Sequence, residues 1–241
     1  MYNFGSRVRY SETDEYGKLT LTGILNYLQD CSTFQSEDNG LGISYLMKCH
    51  KAWWLSSWQI VVDRYPVLGE EILISTWPYD FKGFYGYRNF TICDKNGEYL
   101  VRANSVWFLF DTKKGRPVKI QPEDIRGYGN GWEKKLSMEY APRKIEVPDD
   151  YMALEPVTVS KHHIDTNHHV NNAKYVEIAR EALPDEMEVH ELRVEYKKAA
   201  VFGDVVYPRI SRTKEGYTVS LCDGEGSAYA VIWLRGTIER I

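Results

Sequence analysis

Two segments of the chain carry apolar residues at helical spacing, one in each half. The first, residues 23–39, is followed by Gly40, a residue that often ends a helix. The second ends at Pro184, which cannot continue a helix. The apolar positions at helical spacing are Ile24, Leu25, Leu28 and Cys31 in the first segment, and Tyr175, Ile178, Ala179 and Ala182, at i, i+3, i+4 and i+7, in the second. We therefore predict one amphipathic helix in each half.

A series of strands is predicted after each helix, because the chain there is rich in aromatic and β-branched residues. The first series covers residues 53–63, 70–77, 85–93 and 99–110, and the second covers 189–198, 204–212, 217–222 and 228–238. Hairpin-type sequences such as Asp94–Gly97 join neighbouring strands. One helix followed by an antiparallel sheet, twice, predicts an α+β fold.

The two halves also match residue by residue, and four pairs occur in the same order. Each predicted helix is preceded by an aspartate, Asp14 or Asp165. The other pairs are Val67–Ile72 with Val201–Val206, Gly97-Glu98 with Gly224-Glu225, and Trp107 with Trp233. This order indicates an internal duplication.

Composition excludes several classes of function. Of 241 residues, 43% are hydrophobic and 27% are charged, as in an ordinary globular protein, and the net charge of −4 does not favour nucleic-acid binding. No apolar run approaches the roughly 20 residues that span a bilayer, and the start lacks the apolar core of a signal peptide. The cysteines are scattered without a Cys-x-x-Cys pair, at Cys31, Cys49, Cys93 and Cys222. We expect a cytoplasmic protein that binds no membrane and has neither a disulfide framework nor a structural zinc.

The reactive side chains of the sequence are concentrated just before the second helix. Asp165, Asn167 and His169 stand at alternate positions, and Asn171 is a candidate N-cap. A helix start leaves backbone N–H groups unpaired, and these donors suit a carbonyl oxygen that becomes an oxyanion. A carboxylate and an imidazole beside such donors favour acyl-group chemistry.

The duplicate turn of the first half keeps only the aspartate, Asp14, which we expect to cap its turn. Tyr16 and Lys18 stand where Asn167 and His169 would be. A purely structural turn is one alternative for the second half. A metal site is another, with candidate ligands His162, His163, Asp165, His168 and His169, although neighbouring histidines of an extended segment point to opposite sides.

The stretch 165–175, Asp-x-Asn-x-His-Val-Asn-Asn-x-Lys-Tyr, resembles the signature of the acyl-acyl carrier protein thioesterases of plants and bacteria. Glu195–Lys198 is similar to the Glu-Tyr-Arg-Arg segment of that family. The resemblance implies a tandem double hot-dog fold, each half a long helix packed on a curved antiparallel sheet. It implies an N-terminal hot-dog domain at 1–125 with the acyl-chain pocket but without the catalytic set, a linker at 126–149, and a C-terminal hot-dog domain at 150–241 with the catalytic motif.

The activity implied by the resemblance is hydrolysis of the thioester of fatty acyl-acyl carrier protein, which releases free fatty acid. Asp165, Asn167 and His169 carry over as catalytic residues, and no cofactor is needed. Asp165 would orient Asn167 or help to activate water, Asn167 and the helix N-terminus would hold the carbonyl, and His169 would serve in proton transfer or hydrogen bonding. The implied partner is acyl carrier protein bearing a fatty acyl-phosphopantetheine arm.

The sequence departs from the plant members at Ala199 and Ala200, where those proteins continue with Glu-Cys. No cysteine nucleophile can act from this position, so water is expected to attack directly. Glu195 is either a substitute base, on the strand face of Ala199, or a solvated or ion-paired strand residue.

Further residues have candidate roles in binding. Aromatic residues that either line an acyl pocket or form plain core are Trp53, Trp54, Trp58 and Phe84, and lysines that could meet an acidic carrier protein are Lys161, Lys174, Lys197 and Lys198. The alternatives in function are an acyl-CoA thioesterase or hydratase of hot-dog fold and a non-catalytic acyl-binding protein. A homodimer is compatible with the sequence, which does not determine the preferred acyl chain.

Overall fold

A computed structural model describes residues 1–128, 134–184 and 187–238. The chain divides into two compact units. Unit 1 comprises residues 1–56 and 62–140, and unit 2 comprises residues 57–61 and 141–241. Among the described residues, no helix is long and apolar enough to cross a membrane.

Unit 1 contains a long helix and an antiparallel sheet. Its elements are β1 (Tyr2–Arg7), α1 (Leu21–Asp38), α2 (Ile43–Lys48), β2 (Lys51–Val62), β3 (Glu71–Lys82), β4 (Tyr85–Cys93), β5 (Tyr99–Asp111), β6 (Arg116–Pro117) and α3 (Pro122–Ile125). The sheet order is β1-β3-β4-β5-β2, and β6 pairs with β5. Residues 57–61 of β2 are assigned to unit 2.

Helix α1 forms because its apolar residues recur on one side and Thr20 caps its start. The Thr20 hydroxyl accepts a hydrogen bond from the Gly23 N–H at 3.0 Å. The side that carries Ile24, Leu28 and Cys31 is completely buried. The Cys31 thiol lies 3.7 Å from a carbonyl of β3, so this side faces the sheet.

Unit 2 repeats this arrangement with a shorter helix. Its elements are β7 (Met152–Ala153), β8 (Val157–Thr158), α4 (Asn172–Arg180), β9 (Met187–Tyr196), β10 (Val205–Arg212), β11 (Tyr217–Cys222) and β12 (Ala228–Ile238). The sheet order is β9-β12-β11-β10-β7, with residues 57–61 of β2 on the other side of β9 and β8 paired with β10. The nine residues of α4 bury Ala173, Tyr175, Val176 and Ala179.

The predicted helices and strands are confirmed, with small shifts at their ends. Three strands, β4, β11 and β12, have the predicted bounds. Helix α4 begins at Asn172 and ends at Arg180, so it is half as long as α1. The sequence did not predict β1 or α2, because β1 carries glycine and polar residues and α2 has only six residues.

The internal duplication extends to irregular features. In both β4–β5 and β11–β12 the register shifts by one residue beside a cysteine, Cys93 or Cys222. Because both hairpins carry this bulge beside the cysteine, Gly97 is the equivalent of Gly226 in the duplication, rather than of the predicted Gly224. The predicted correspondence of Trp107 with Trp233 is wrong for the same reason. When the hairpins are aligned on their cysteines, the position equivalent to Trp107 lies three residues after Trp233.

Candidate active site

Asp165 builds a tight turn in unit 2 that presents Asn167 and His169. Its N–H donates to the His169 carbonyl at 2.8 Å, and its carbonyl accepts from the His168 N–H at 3.1 Å. Its carboxylate oxygen Oδ1 accepts from the N–H groups of Asn167 at 2.8 Å and His169 at 3.4 Å. Asn167 is exposed, whereas Asp165 and His169 are half-buried. The aspartate therefore shapes the loop that carries the other two residues.

The same turn occurs four times in the described chain. In each copy the Oδ1 of an aspartate accepts from the N–H groups two and four residues later. The residue between them, three positions after the aspartate, has a positive φ. The aspartates are Asp14, Asp94, Asp165 and Asp223, and the positive-φ residues are Gly17, Gly97, His168 and Gly226. The expectation that Asp14 caps its turn is confirmed. Only the candidate site places a side chain where the other three turns carry glycine.

The start of α4 follows directly on this turn. The prediction that Asn171 is the N-cap is confirmed, since its Oδ1 accepts from the Ala173 N–H at 2.9 Å. The Asn171 N–H donates to the His163 carbonyl at 2.8 Å, which fixes the helix entrance to the preceding 3-10 turn. Only Val170 and Asn171 separate His169 from the first residue of α4, and the positive end of the helix dipole favours a developing negative charge nearby.

The turn of unit 1 is tied down on one side more firmly than that of unit 2. Leu68 donates its N–H to the Gly17 carbonyl at 2.8 Å, and Lys18 bridges to Val67. Among the hydrogen bonds of the described residues, no counterpart joins Phe202 to His168. Phe202 is 59% exposed. Among the described residues, the turn of unit 2 therefore lacks one backbone hydrogen bond that holds its duplicate.

The structure brings Ala200 next to the candidate site. Its carbonyl accepts from the Val170 N–H at 2.9 Å, and its N–H donates to the Tyr175 hydroxyl at 2.8 Å. Ala200 is completely buried. Proximity between residues 165–170 and 200 was not predicted from the spacing of the sequence, because it depends on how the loop after β9 returns to the turn.

Glu195 does not share a strand face with Ala199, because β9 ends at Tyr196. Its Oε2 accepts from the Ile145 N–H at 3.1 Å and lies 3.8 Å from the Lys197 Nζ. The prediction of a common strand face is therefore wrong, and the interpretation as an ion-paired strand residue is confirmed.

The two histidines before the turn contact each other rather than forming a ligand set. The His163 Nδ1 accepts from the Ser160 N–H at 3.2 Å, and the rings of His162 and His163 are 4.2 Å apart. Burial lowers the pKa of His163, and electrostatic repulsion from its neighbours His162 and Lys174 lowers it further. In the described part of the chain, no group of three or more His, Cys, Asp or Glu side chains is arranged to hold a metal ion.

Three of the four cysteines are buried thiols. Burial raises the pKa of Cys31 to about 12 and also raises the pKa of Cys93 and Cys222. Cys49 is exposed. A thiol of raised pKa stays protonated near neutral pH and is a poor nucleophile.

The four aromatic residues that were predicted either to line an acyl pocket or to form core differ in their burial. Trp58 is buried, Trp53 and Trp54 are half-buried, and Phe84 is exposed. In unit 1, Trp54 stacks on Phe110 with ring centroids 3.8 Å apart. These positions place Trp58 in the core and leave Phe84 outside it.

Three of the four candidate lysines form ion pairs in unit 2. Lys174 pairs with Glu177 at 2.7 Å, Lys197 with Glu195, and Lys198 with Asp223. Lys161 is exposed. These pairs reduce the net positive charge that the neighbourhood of the turn offers to an acidic partner.

Both halves of the chain match domain models of the same protein family. The model of the acyl-ACP thioesterase N-terminal domain matches residues 2–128, and that of the C-terminal domain matches residues 148–229. The chain is 29% identical over 191 residues to the chloroplastic acyl-[acyl-carrier-protein] hydrolase FATB1 of Cuphea viscosissima, covering 73% of this chain and 45% of that protein. The oleoyl-acyl carrier protein thioesterase 1 of Arabidopsis thaliana is 27% identical over 232 residues, covering 86% and 63%. The chain thus spans about half the length of the curated relatives it matches.

Solved structures match almost the whole chain. An acyl-ACP thioesterase from Bacteroides thetaiotaomicron has a TM-score of 0.88 at 23% identity, covering 98% of this chain and 97% of that one. A putative oleoyl thioesterase from Lactobacillus plantarum has a TM-score of 0.86 at 24% identity, covering 100% and 97%. These likenesses confirm the tandem double hot-dog fold. Because the domain models match most of its length, the chain belongs to the acyl-ACP thioesterase family.

Proposed function

We propose that the protein hydrolyses the thioester of fatty acyl-acyl carrier protein and releases free fatty acid. The observation that carries the proposal is the contrast between two matching turns. Both are built by an aspartate ahead of a helix, yet only the turn of unit 2 carries an amide and an imidazole, on Asn167 and His169. A turn needed only for structure would not require these two side chains. The names of the curated relatives support this activity.

In the proposed reaction, water attacks the thioester carbonyl carbon directly. Asn167 and the positive end of the α4 dipole stabilise the negative charge on the carbonyl oxygen. His169 accepts a proton from the attacking water and returns it to the departing sulfur as the C–S bond breaks. Asp165 holds both residues in place through the turn and helps to orient Asn167. The products are a fatty acid and the free thiol, so no cofactor or cysteine nucleophile takes part.

The proposed partner is acyl carrier protein with a fatty acyl-phosphopantetheine arm. We propose the domain division 1–125, 126–149 and 150–241, with the acyl chain bound by the N-terminal domain. Cytoplasmic location and a homodimer stay predictions, and the names of the plant relatives assign those proteins to the chloroplast.

A panel of thioesters tests the proposed function. The protein is incubated with acyl carrier protein loaded with chains of several lengths, and in parallel with the matching acyl-CoA thioesters. Release of fatty acid and of carrier thiol is expected, faster from the carrier protein. Preference for acyl-CoA would support the acyl-CoA thioesterase instead, and no release from either series would refute hydrolysis.

The duplicate turn supplies matched controls for the catalytic residues. His169→Ala and Asn167→Ala are expected to lower kcat by about 10²-fold or more, as the loss of an oxyanion donor or a general base does. The corresponding variants of unit 1, Lys18→Ala and Tyr16→Ala, should leave kcat within about twofold. Equal losses in both turns would show that these residues act only through the stability of the fold.

Asp165 requires its own comparison, because its carboxylate also builds the turn. Asp165→Ala and Asp14→Ala each remove an aspartate that accepts two backbone hydrogen bonds, so both are expected to lower the free energy of unfolding. Only Asp165→Ala is expected to abolish most of the hydrolysis. A fully active Asp165→Ala variant would remove this residue from the catalytic set.

A further inference from the structure

The peptide group of Ala200 is held from two sides. Its carbonyl accepts from the Val170 N–H, which follows His169 directly in the chain, and its N–H donates to the Tyr175 hydroxyl in the first turn of α4. Both Ala200 and Tyr175 are buried. Ala200 therefore connects the end of the Asp165 turn with the beginning of the helix.

Only one of these two hydrogen bonds has a counterpart in unit 1. Pro66 occupies the position of Ala200, and its carbonyl accepts from the Leu19 N–H at 2.8 Å. Proline has no N–H, so no acceptor is needed for it. Four residues after the N-cap, where α4 carries Tyr175, α1 carries Ile24, which offers no acceptor. Unit 2 has the Tyr175 hydroxyl, because the buried N–H of residue 200 needs an acceptor there. Unit 1 has the apolar Ile24 instead, because a proline without an N–H stands at the equivalent position.

We propose that Tyr175 is a positioning residue for the hydrolysis, through its hydrogen bond to the Ala200 N–H. This inference rests on the proposed function. The bond fixes the residue 169–170 backbone relative to the start of α4, and the reaction requires the His169 imidazole and the positive end of the helix at a defined separation. A misplacement of about 1 Å between reacting groups can cost about 10²-fold in rate.

Tyr175 does not transfer protons in this role. Burial, the main cause, raises the pKa of its hydroxyl to about 12, so the group stays neutral while the protein works. Its oxygen accepts the Ala200 N–H, and the ring lies 5.8 Å from the ring of Tyr196 at a steep angle. A residue that acts by position should change kcat without changing the pH profile.

The test replaces one hydroxyl at a time. Tyr175→Phe is expected to lower kcat about tenfold, with KM and the pH dependence of kcat unchanged, because geometry is lost while the titrating groups stay. Tyr27→Phe is the matched control, since Tyr27 is a buried tyrosine of α1, the duplicate helix, and its hydroxyl donates to Glu12. Turnover of Tyr27→Phe should stay within about twofold of the native protein.

A second variant separates positioning from a general loss of stability. Tyr175→Ile combined with Ala200→Pro installs the pair found in unit 1, so no buried N–H is left without a partner. We expect this double variant to be more stable than Tyr175→Phe but to keep a lowered kcat, because the hydrogen bond between residue 200 and α4 is still absent. Hydrogen exchange at the Ala200 amide should be faster in Tyr175→Phe than in the native protein.

The outcomes distinguish this inference from the proposed function. A native protein that releases no fatty acid would overturn both. A native protein that is active and a Tyr175→Phe variant with unchanged kcat and unchanged exchange at Ala200 would overturn only the positioning role. A shifted pH profile in Tyr175→Phe would also overturn it, since it would assign the hydroxyl to proton transfer.

Discussion

His168 adopts a left-handed backbone conformation, with φ at 61°. Histidine tolerates this region better than most residues, but a non-glycine residue there still carries strain. The three equivalent turns avoid the strain with Gly17, Gly97 and Gly226. Backbone strain at one of four otherwise equal turns fits a functional site, because such strain persists where selection acts on more than stability.

Replacing His168 with glycine should relieve this strain. His168→Gly is expected to raise the free energy of unfolding by up to about 1 kcal/mol, as measured by urea denaturation. Gly226→Ala is the inverse control and should lower it, since alanine is strained at a φ of 86°. A His168→Gly variant less stable than the native protein would show that the imidazole makes a contact worth more than the strain.

The buried imidazole of His163 should make the stability depend on pH. Its pKa is lowered in the folded state, chiefly by burial, so the unfolded chain binds a proton more readily. The stability associated with His163 is present above its unfolded pKa of about 6.5 and is lost as the pH falls below that value. Urea unfolding at pH 7.5 and pH 5.5 should show a smaller loss for His163→Gln than for the native protein. An equal loss in both proteins would contradict this assignment.

At the scale of elements, the two helices begin in the same way although α1 has 18 residues and α4 has nine. Each is capped by a side-chain oxygen that accepts from a first-turn N–H, at Gly23 in α1 and Ala173 in α4. The sequence predicted the cap of α4 because capping is a local interaction, whereas the predicted start of α1 at Gly23 lies two residues inside the helix. The shorter length of α4 was harder to predict from the sequence, because Leu183 is also buried although it lies beyond the last helical residue.

The two caps allow a paired prediction. Thr20→Ala and Asn171→Ala should each lower the free energy of unfolding by about 1 kcal/mol, the usual value of an N-cap. Only Asn171→Ala is expected to reduce thioester hydrolysis as well, because it loosens the helix start beside the catalytic turn. Denaturation curves and turnover of both variants check this, and a comparable loss of turnover in Thr20→Ala would argue against a special role for the α4 start.

For the whole molecule, the distribution of cysteines predicts the response to thiol reagents. Cys49 is exposed, whereas Cys31, Cys93 and Cys222 are buried with raised pKa values. One thiol should react rapidly in the native protein and four in denaturant, as counted by a chromogenic disulfide reagent. Alkylation of the native protein should leave hydrolysis unchanged. Loss of activity without unfolding would contradict attack by water.

The sequence by itself determined the features that depend on residues close together in the chain. Apolar periodicity predicted the main helices, richness in aromatic and β-branched residues predicted eight strands, Asn171 was identified as an N-cap, and the two aspartates before the helices indicated the duplication. The Cys-Asp-x-x-Gly sequences at 93–97 and 222–226 are a further signal of the duplication, because both form hairpin turns with the same aspartate hydrogen bonds and a bulge beside the cysteine. Local hydrogen bonds and side-chain periodicity are written in consecutive residues, so they can be read directly.

Only the tertiary structure decided which distant residues meet. It ended β9 at Tyr196 and so removed Glu195 from the face of Ala199, and it joined Ala200 to both Val170 and Tyr175. Sheet register and the path of the returning loop determine these contacts, and both depend on the packing of the complete unit rather than on neighbouring residues. The residues of the candidate site could therefore be predicted from the sequence, whereas the hydrogen bonds that hold them in place could not.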